Sequence, residues 1–194
     1  MGESPPLHAY LAAALRPDRN RSAAVAVIEA LSRAAVELAE TIAAGPLADI
    51  TGTSSGVNPD GDSQRDIDLL ADRLMRKALR TAPVASVLSE EVELPEDVDS
   101  DAPLCVAIDP LDGSANLENN ISVGTIFSIR PRGRDSISTF FEPGTVQCAR
   151  LLHLWTANDP GSRHRQACRF FHSGSSRGRI RLDQARCSDS AEHA

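Results

Sequence analysis

With 194 residues, 41% of them hydrophobic, the chain can bury a sizeable core as one domain or as a domain with a tail. No apolar run approaches the roughly 20 residues that span a bilayer, and the acidic, proline-containing N-terminus lacks the basic-then-apolar form of a secretion signal. A cytoplasmic protein without membrane contact is expected. The net charge of −7 is uneven: residues 150–194 carry eight Arg against four acids, a sum of +4, which leaves −11 for the first 149. An acidic front half argues against nucleic acid as a partner and suits divalent cations.

In chain order, residues 8–16 are expected to form a short helix ending before Pro17. From Ser22, a suitable N-cap, Val25, Ile28, Leu31, Ala35, Leu38 and Ile42 recur every three or four residues, and Gly45-Pro46 supplies a stop. This predicts an amphipathic core helix. Thr51–Gly61, rich in Gly, Ser, Thr, Asn and Pro, reads as a loop. A second helix follows by the spacing of Ile67, Leu70, Leu74 and Ala78, capped by Asp62. It holds four aspartates within eleven residues, more than capping needs. Asp66 and Asp72 are expected to face solvent, and Asp62 and Asp68 to approach a site.

Pro83–Leu88 reads as a strand that ends in Ser89-Glu90-Glu91, and Leu104–Ile108 as another that delivers Asp109 to its C-terminal end. If the two are parallel, Glu90, Glu91, Asp109 and Asp112 share one mouth, the usual ligand crevice of an α/β sheet. Pro110 is expected to break the second strand. Gly113 then allows close backbone approach, and Ser114 opens a short helix whose free amides attract anions. Like charges so close are costly unless cations neutralise them, so the cluster predicts about one to three divalent ions. Ile121–Ile129 alternates as a third strand, and Phe140–Gly144 ends in a turn. Cys105, Cys148, Cys168 and Cys187 form no C-x-x-C pair and no metal spacing with histidine, so neither a disulfide framework nor a zinc site is indicated, and Cys105 is expected to be a core thiol.

These segments resemble the class I fructose-1,6-bisphosphatases. The resemblance lies in G-D-x-Q-x-x-[IL]-D-x-L-A-[DN] at Gly61–Asp72, S-E-E at Ser89–Glu91 and D-P-L-D-G-S-x-N-[IL] at Asp109–Leu117. It continues in N-x-S-V-G-T-I-F-S-I at Asn120–Ile129 and P-G-T-x-Q at Pro143–Gln147. D-P-x-D-G-S alone would reach only the wider group of magnesium-dependent sugar and inositol phosphatases; the S-V-G-T-I-F-S-I run narrows it.

The resemblance implies an α/β, layered sugar-phosphatase fold, the N-terminal half of an αβαβα sandwich. It implies hydrolysis of the 1-phosphate of fructose 1,6-bisphosphate, to give fructose 6-phosphate and phosphate, with sedoheptulose 1,7-bisphosphate as an alternative substrate. Glu90, Asp109, Asp112 and the Leu111 carbonyl would ligate magnesium, with manganese able to substitute. Asp68, Glu91 and Asp62 would be the catalytic residues, Asp68 and Glu91 helping to activate the attacking water, while Asp112, Gly113, Ser114 and Ala115 would meet the substrate. Homodimers or homotetramers are implied as well.

Two departures stand out. Ala115 replaces the family's second Ser, so a hydroxyl contact with phosphate is lost. After about residue 148 the pattern stops, and residues 150–194 hold excess Arg, Ser, His and Cys with four of the five His. Back-translated and read one base later, Arg150–Pro160 permits G-Y-F-I-Y-G-P-Q-T-T-L, which looks like the family's next segment. The expected organisation is therefore an N-terminal segment 1–21, a phosphatase domain 22–149 and an irregular tail 150–194, out of frame or disordered. Such a chain would hold metal with little or no turnover, and a non-catalytic truncated product is the alternative to an enzyme.

Overall fold

The computed structural model describes residues 7, 9, 11, 20–43, 62–119, 123–141, 148–154, 167–173 and 180–186. Helix α1 is Arg21–Ala43 and α2 is Asp62–Leu79; the strands are β1 Val84–Ser89, β2 Glu96–Asp97, β3 Leu104–Asp112 and β4 Val123–Pro131. A 3-10 helix, Ser114–Asn119, follows β3, and a short helix α3, Ser136–Phe141, follows β4. Beyond these lie β5 Cys148–Leu154, β6 Ala167–Ser173 and β7 Ile180–Arg186.

Asn20, not Ser22, caps α1: its carbonyl accepts the Ala24 N–H at 2.9 Å. Asn is as good a cap as Ser, and the chain enters the helix two residues earlier than expected. The apolar stripe is as predicted, with Ile28, Leu31 and Leu38 fully buried, and Val27 joins it. Leu7, Ala9 and Leu11 are helical, with Leu7 and Leu11 buried against the same core and Ala9 exposed; the rest of the expected 8–16 helix lies outside the described residues, as do the 51–61 loop, Gly45-Pro46 and residues 142–147.

In α2 the buried stripe is Ile67, Ala71, Met75 and Leu79. Leu74 and Ala78, expected at its centre, are only partly buried and flank it. An i, i+4 row is shifted by one position relative to the expected one, a rotation of about 100° on the helix. That rotation carries Asp68 and Asp72 inward.

One sheet runs in the order β2-β1-β3-β4-β5. β1 and β3 are parallel, while β2 on β1, β4 on β3 and β5 on β4 are antiparallel. Val84, Val87, Leu104, Val106, Ile108, Phe127 and Ile129 meet α1 and α2 in one core. On the opposite face Phe140 of α3 packs on Ala85, Ala102 and Cys105. Cys105 is buried as expected, with the Ser86 hydroxyl 3.2 Å from its sulfur. The fold is α/β with helices layered over a mixed sheet.

Two expectations change. Pro110 does not end its strand: β3 runs on to Asp112, and pairing with β4 shifts register between Asp109 and Asp112. Asp109 faces Ile126 and Asp112 faces Gly124, so Pro110 and Leu111 oppose Thr125 alone, a bulge that tolerates the missing proline N–H. The segment expected to be irregular contains strands. β5 extends the main sheet across the expected boundary at 149, and β6 pairs antiparallel with β7.

Candidate active site

The parallel pairing of β1 with β3 sets Ser89 opposite Ile108. The residues that follow therefore leave the sheet side by side, and the Glu90 N–H donates to the Ile108 carbonyl at 3.0 Å. Glu90 and Asp109 thereby lie close enough for each carboxylate to act on the other. Burial, that proximity, and the charges of Glu90 and Asp112 push the Asp109 carboxyl up to about 6, against a weaker downward pull from the Leu111 N–H. That N–H donates to Asp109 Oδ1 at 3.2 Å. Like charges this close disfavour the ionised form of Asp109.

Asp68 closes the group from α2. Its Oδ2 accepts the Ser114 hydroxyl at 3.3 Å. Burial raises its pKa, the Ser114 bond opposes this, and the Glu90 charge adds to the rise. Helix, strand end and turn thus converge. Between Asp112 and Ser114 the chain reverses at Gly113, whose φ of 83° lies in the left-handed region open to glycine.

Of the residues expected in the site, Asp68, Glu90, Asp109, Asp112 and Ser114 interact with one another. Glu91 is exposed and follows directly in the same turn. Leu111 has a buried side chain, and Ala115 is exposed in the 3-10 helix. Asp62 is the first residue of α2, and its side chain lies outside what is described. Among the described residues no three His, Cys, Asp or Glu side chains form a ready metal cluster. The donor chemistry nevertheless fits a hard cation: oxygen ligands only, a carboxylate pair that repels itself, and a third carboxylate two residues after Pro110. No described helix is long and apolar enough to cross a membrane.

Sequence reasoning missed the layer behind these groups. Asp72, expected in solvent, is 5% exposed and hydrogen-bonds to Ser89. The available signal was its position four residues after Asp68, on the same side of the helix. Thr125, fully buried, donates to the Pro110 carbonyl at 2.9 Å and fills the bulge. Further out, Arg76 and Arg80 both bind Glu96 of β2. Burial works against the charged form of Glu96, but the two guanidinium groups outweigh it and lower its pKa.

Residues 14–158 match the family "Fructose-1-6-bisphosphatase, N-terminal domain". A class 1 fructose-1,6-bisphosphatase of Bradyrhizobium sp. strain BTAi1 is 62% identical over 150 residues, which are 77% of this chain and 42% of that protein. Another from Bradyrhizobium sp. strain ORS 278 is 67% identical over 124 residues, 64% of this chain and 35% of that protein. The chain thus spans less than half the length of these relatives. In fold it is similar to the holo-form crystal structure of Leishmania major fructose-1,6-bisphosphatase, with a TM-score of 0.64 at 17% identity over 95% of this chain and 59% of that one. With a family match over most of its length, the chain belongs to the fructose-1,6-bisphosphatase family.

Proposed function

We propose that the mouth between β1 and β3 is the metal and phosphate end of a magnesium-dependent sugar bisphosphatase site, which acts on the 1-phosphate of fructose 1,6-bisphosphate. The observation that carries this reading is the juxtaposition of Glu90 and Asp109 at the ends of two parallel strands, with Asp68 bound to Ser114 beside them. Glu90, Asp109, Asp112 and the Leu111 carbonyl would hold magnesium or manganese. The ion would supply charge neutralisation at the phosphoryl oxygens and a bound water of lowered pKa.

The protein's own groups account for the rest. Asp68, its pKa raised by burial, is suited to take a proton from an attacking water, and the Ser114 hydroxyl orients its carboxylate. Glu91 would complete the acidic rim, and Asp62, at the start of α2, is assigned a catalytic role on the sequence resemblance alone. Gly113 and Ser114 turn the backbone toward the phosphate, and Ala115 offers only its amide. Asp109, its carboxyl pushed up to about 6, binds a cation at full charge only once it has lost its proton.

The test is a manganese titration followed by electron paramagnetic resonance, with phosphate release measured on fructose 1,6-bisphosphate and sedoheptulose 1,7-bisphosphate. Binding lost in Asp109→Ala supports the site; equal binding by that variant overturns it. Turnover of the fructose substrate supports the leading activity, and preference for the seven-carbon substrate the alternative. Metal uptake without phosphate release is the result expected of a non-catalytic product, a reading motivated by the Arg- and His-rich composition after residue 150.

A further inference from the structure

Ser89 ends β1 immediately before the two glutamates and is 2% exposed. Its hydroxyl donates to Asp72 Oδ1 at 2.7 Å and accepts the Glu91 N–H at a longer 3.4 Å. The other Asp72 oxygen receives the Arg76 guanidinium at 3.1 Å. Burying a carboxylate is costly, and Arg76 alone could have satisfied this one at the helix surface. Its burial serves the second bond, which crosses from α2 to the end of β1. Asp68 lies one turn earlier on the same helix, so one rigid element carries both a site carboxylate and the anchor of the opposing turn.

We propose that Asp72 is a positioning residue for the glutamate pair. Through the Ser89 hydroxyl it fixes the turn that presents Glu90 and Glu91, and through α2 it ties that turn to Asp68. Asp72 acts through Ser89, its oxygens being taken by the Ser89 hydroxyl and the Arg76 guanidinium. The inference rests on reading Glu90, Asp109 and Asp112 as a metal site, and its test separates the two.

In the 194-residue chain, Ser89→Ala, Ser89→Thr, Asp72→Asn and Asp72→Leu are compared by manganese affinity and by amide hydrogen exchange at Glu91. Loss of a group that orients metal ligands typically weakens binding roughly tenfold or more. Ser89→Ala and Asp72→Leu are expected to show that loss and faster exchange at Glu91, with far-ultraviolet circular dichroism unchanged. Ser89→Thr keeps the hydroxyl and Asp72→Asn keeps an acceptor, so both stay close to the parent chain. Should the alanine variant fail to fold, Ser89→Cys, of similar size and a weaker donor, is read by the same two measures. Unchanged affinity and exchange in Ser89→Ala overturn the proposal even if stability falls. If the parent chain binds no manganese, the metal reading fails, and exchange at Glu91 alone decides: faster in the variant and restored by threonine supports positioning, unchanged refutes it.

Discussion

The Ser114 hydroxyl donates to Asp68 Oδ2 at 3.3 Å, a bond that joins α2 to a turn 46 residues later in the chain. It favours the charged form of Asp68 against the burial that disfavours it. Ser114→Ala is therefore expected to raise the Asp68 pKa further. Carbon-13 titration of the Asp68 carboxyl checks this: its midpoint moves to higher pH in the variant, and any acid limb of activity governed by Asp68 moves the same way.

Asp109 gives the chain a pH dependence of definite sign. Its carboxyl sits at about 6 when folded, against an ordinary 3.8. As pH rises through that window the unfolded chain releases the proton first, so folding stability falls from about pH 4 to about pH 6 and then levels. Thermal melts in the presence of a chelator should show this decline. Asp109→Asn should flatten it, and magnesium at neutral pH should reverse it in the parent chain alone.

Thr125 offers a direct test of the bulge. Removing its hydroxyl leaves the Pro110 carbonyl without that donor in a buried place, at a cost of about 1–3 kcal/mol. Thr125→Val should lower the urea midpoint accordingly, whereas Thr125→Ser should lie near the parent. Manganese affinity should fall with the valine change, because the bulge sets the spacing between Asp109 and Asp112.

Gly113 has a φ of 83°, where a β-carbon is penalised by about 1–2 kcal/mol. Gly113→Ala is expected to destabilise the fold by that order in chemical denaturation. Gly113→Asn should cost less, since asparagine tolerates the left-handed region.

Much of this site was legible because strands announce their ends. The apolar runs before Glu90 and Asp109 predicted where the acids emerge, and parallel pairing of β1 with β3 brings them together. The rotation of α2 was not legible: Leu70, Leu74 and Ala78 compete with Ala71, Met75 and Leu79 for the inward face, and only packing against α1 and the sheet decides between them. Asp72 looked like a solvent residue because charge is usually exposed, and its partner Ser89 is 17 residues away. Pro110 looked like a strand terminator for a similar reason, since the compensating Thr125 hydroxyl comes from a strand not yet reached in the sequence.

The order β2-β1-β3 also bears on how the chain acquires its acidic pair. β2 folds back on β1 before β3 is reached, yet β1 and β3 run parallel and meet only after the intervening segment has crossed over. Nonlocal parallel pairing is slow to form. Glu90 and Asp109 are therefore expected to meet, and to repel each other, only once the core strands that bear them come into register. Cation uptake at this mouth would report completion of the sheet, with little influence on the steps before it.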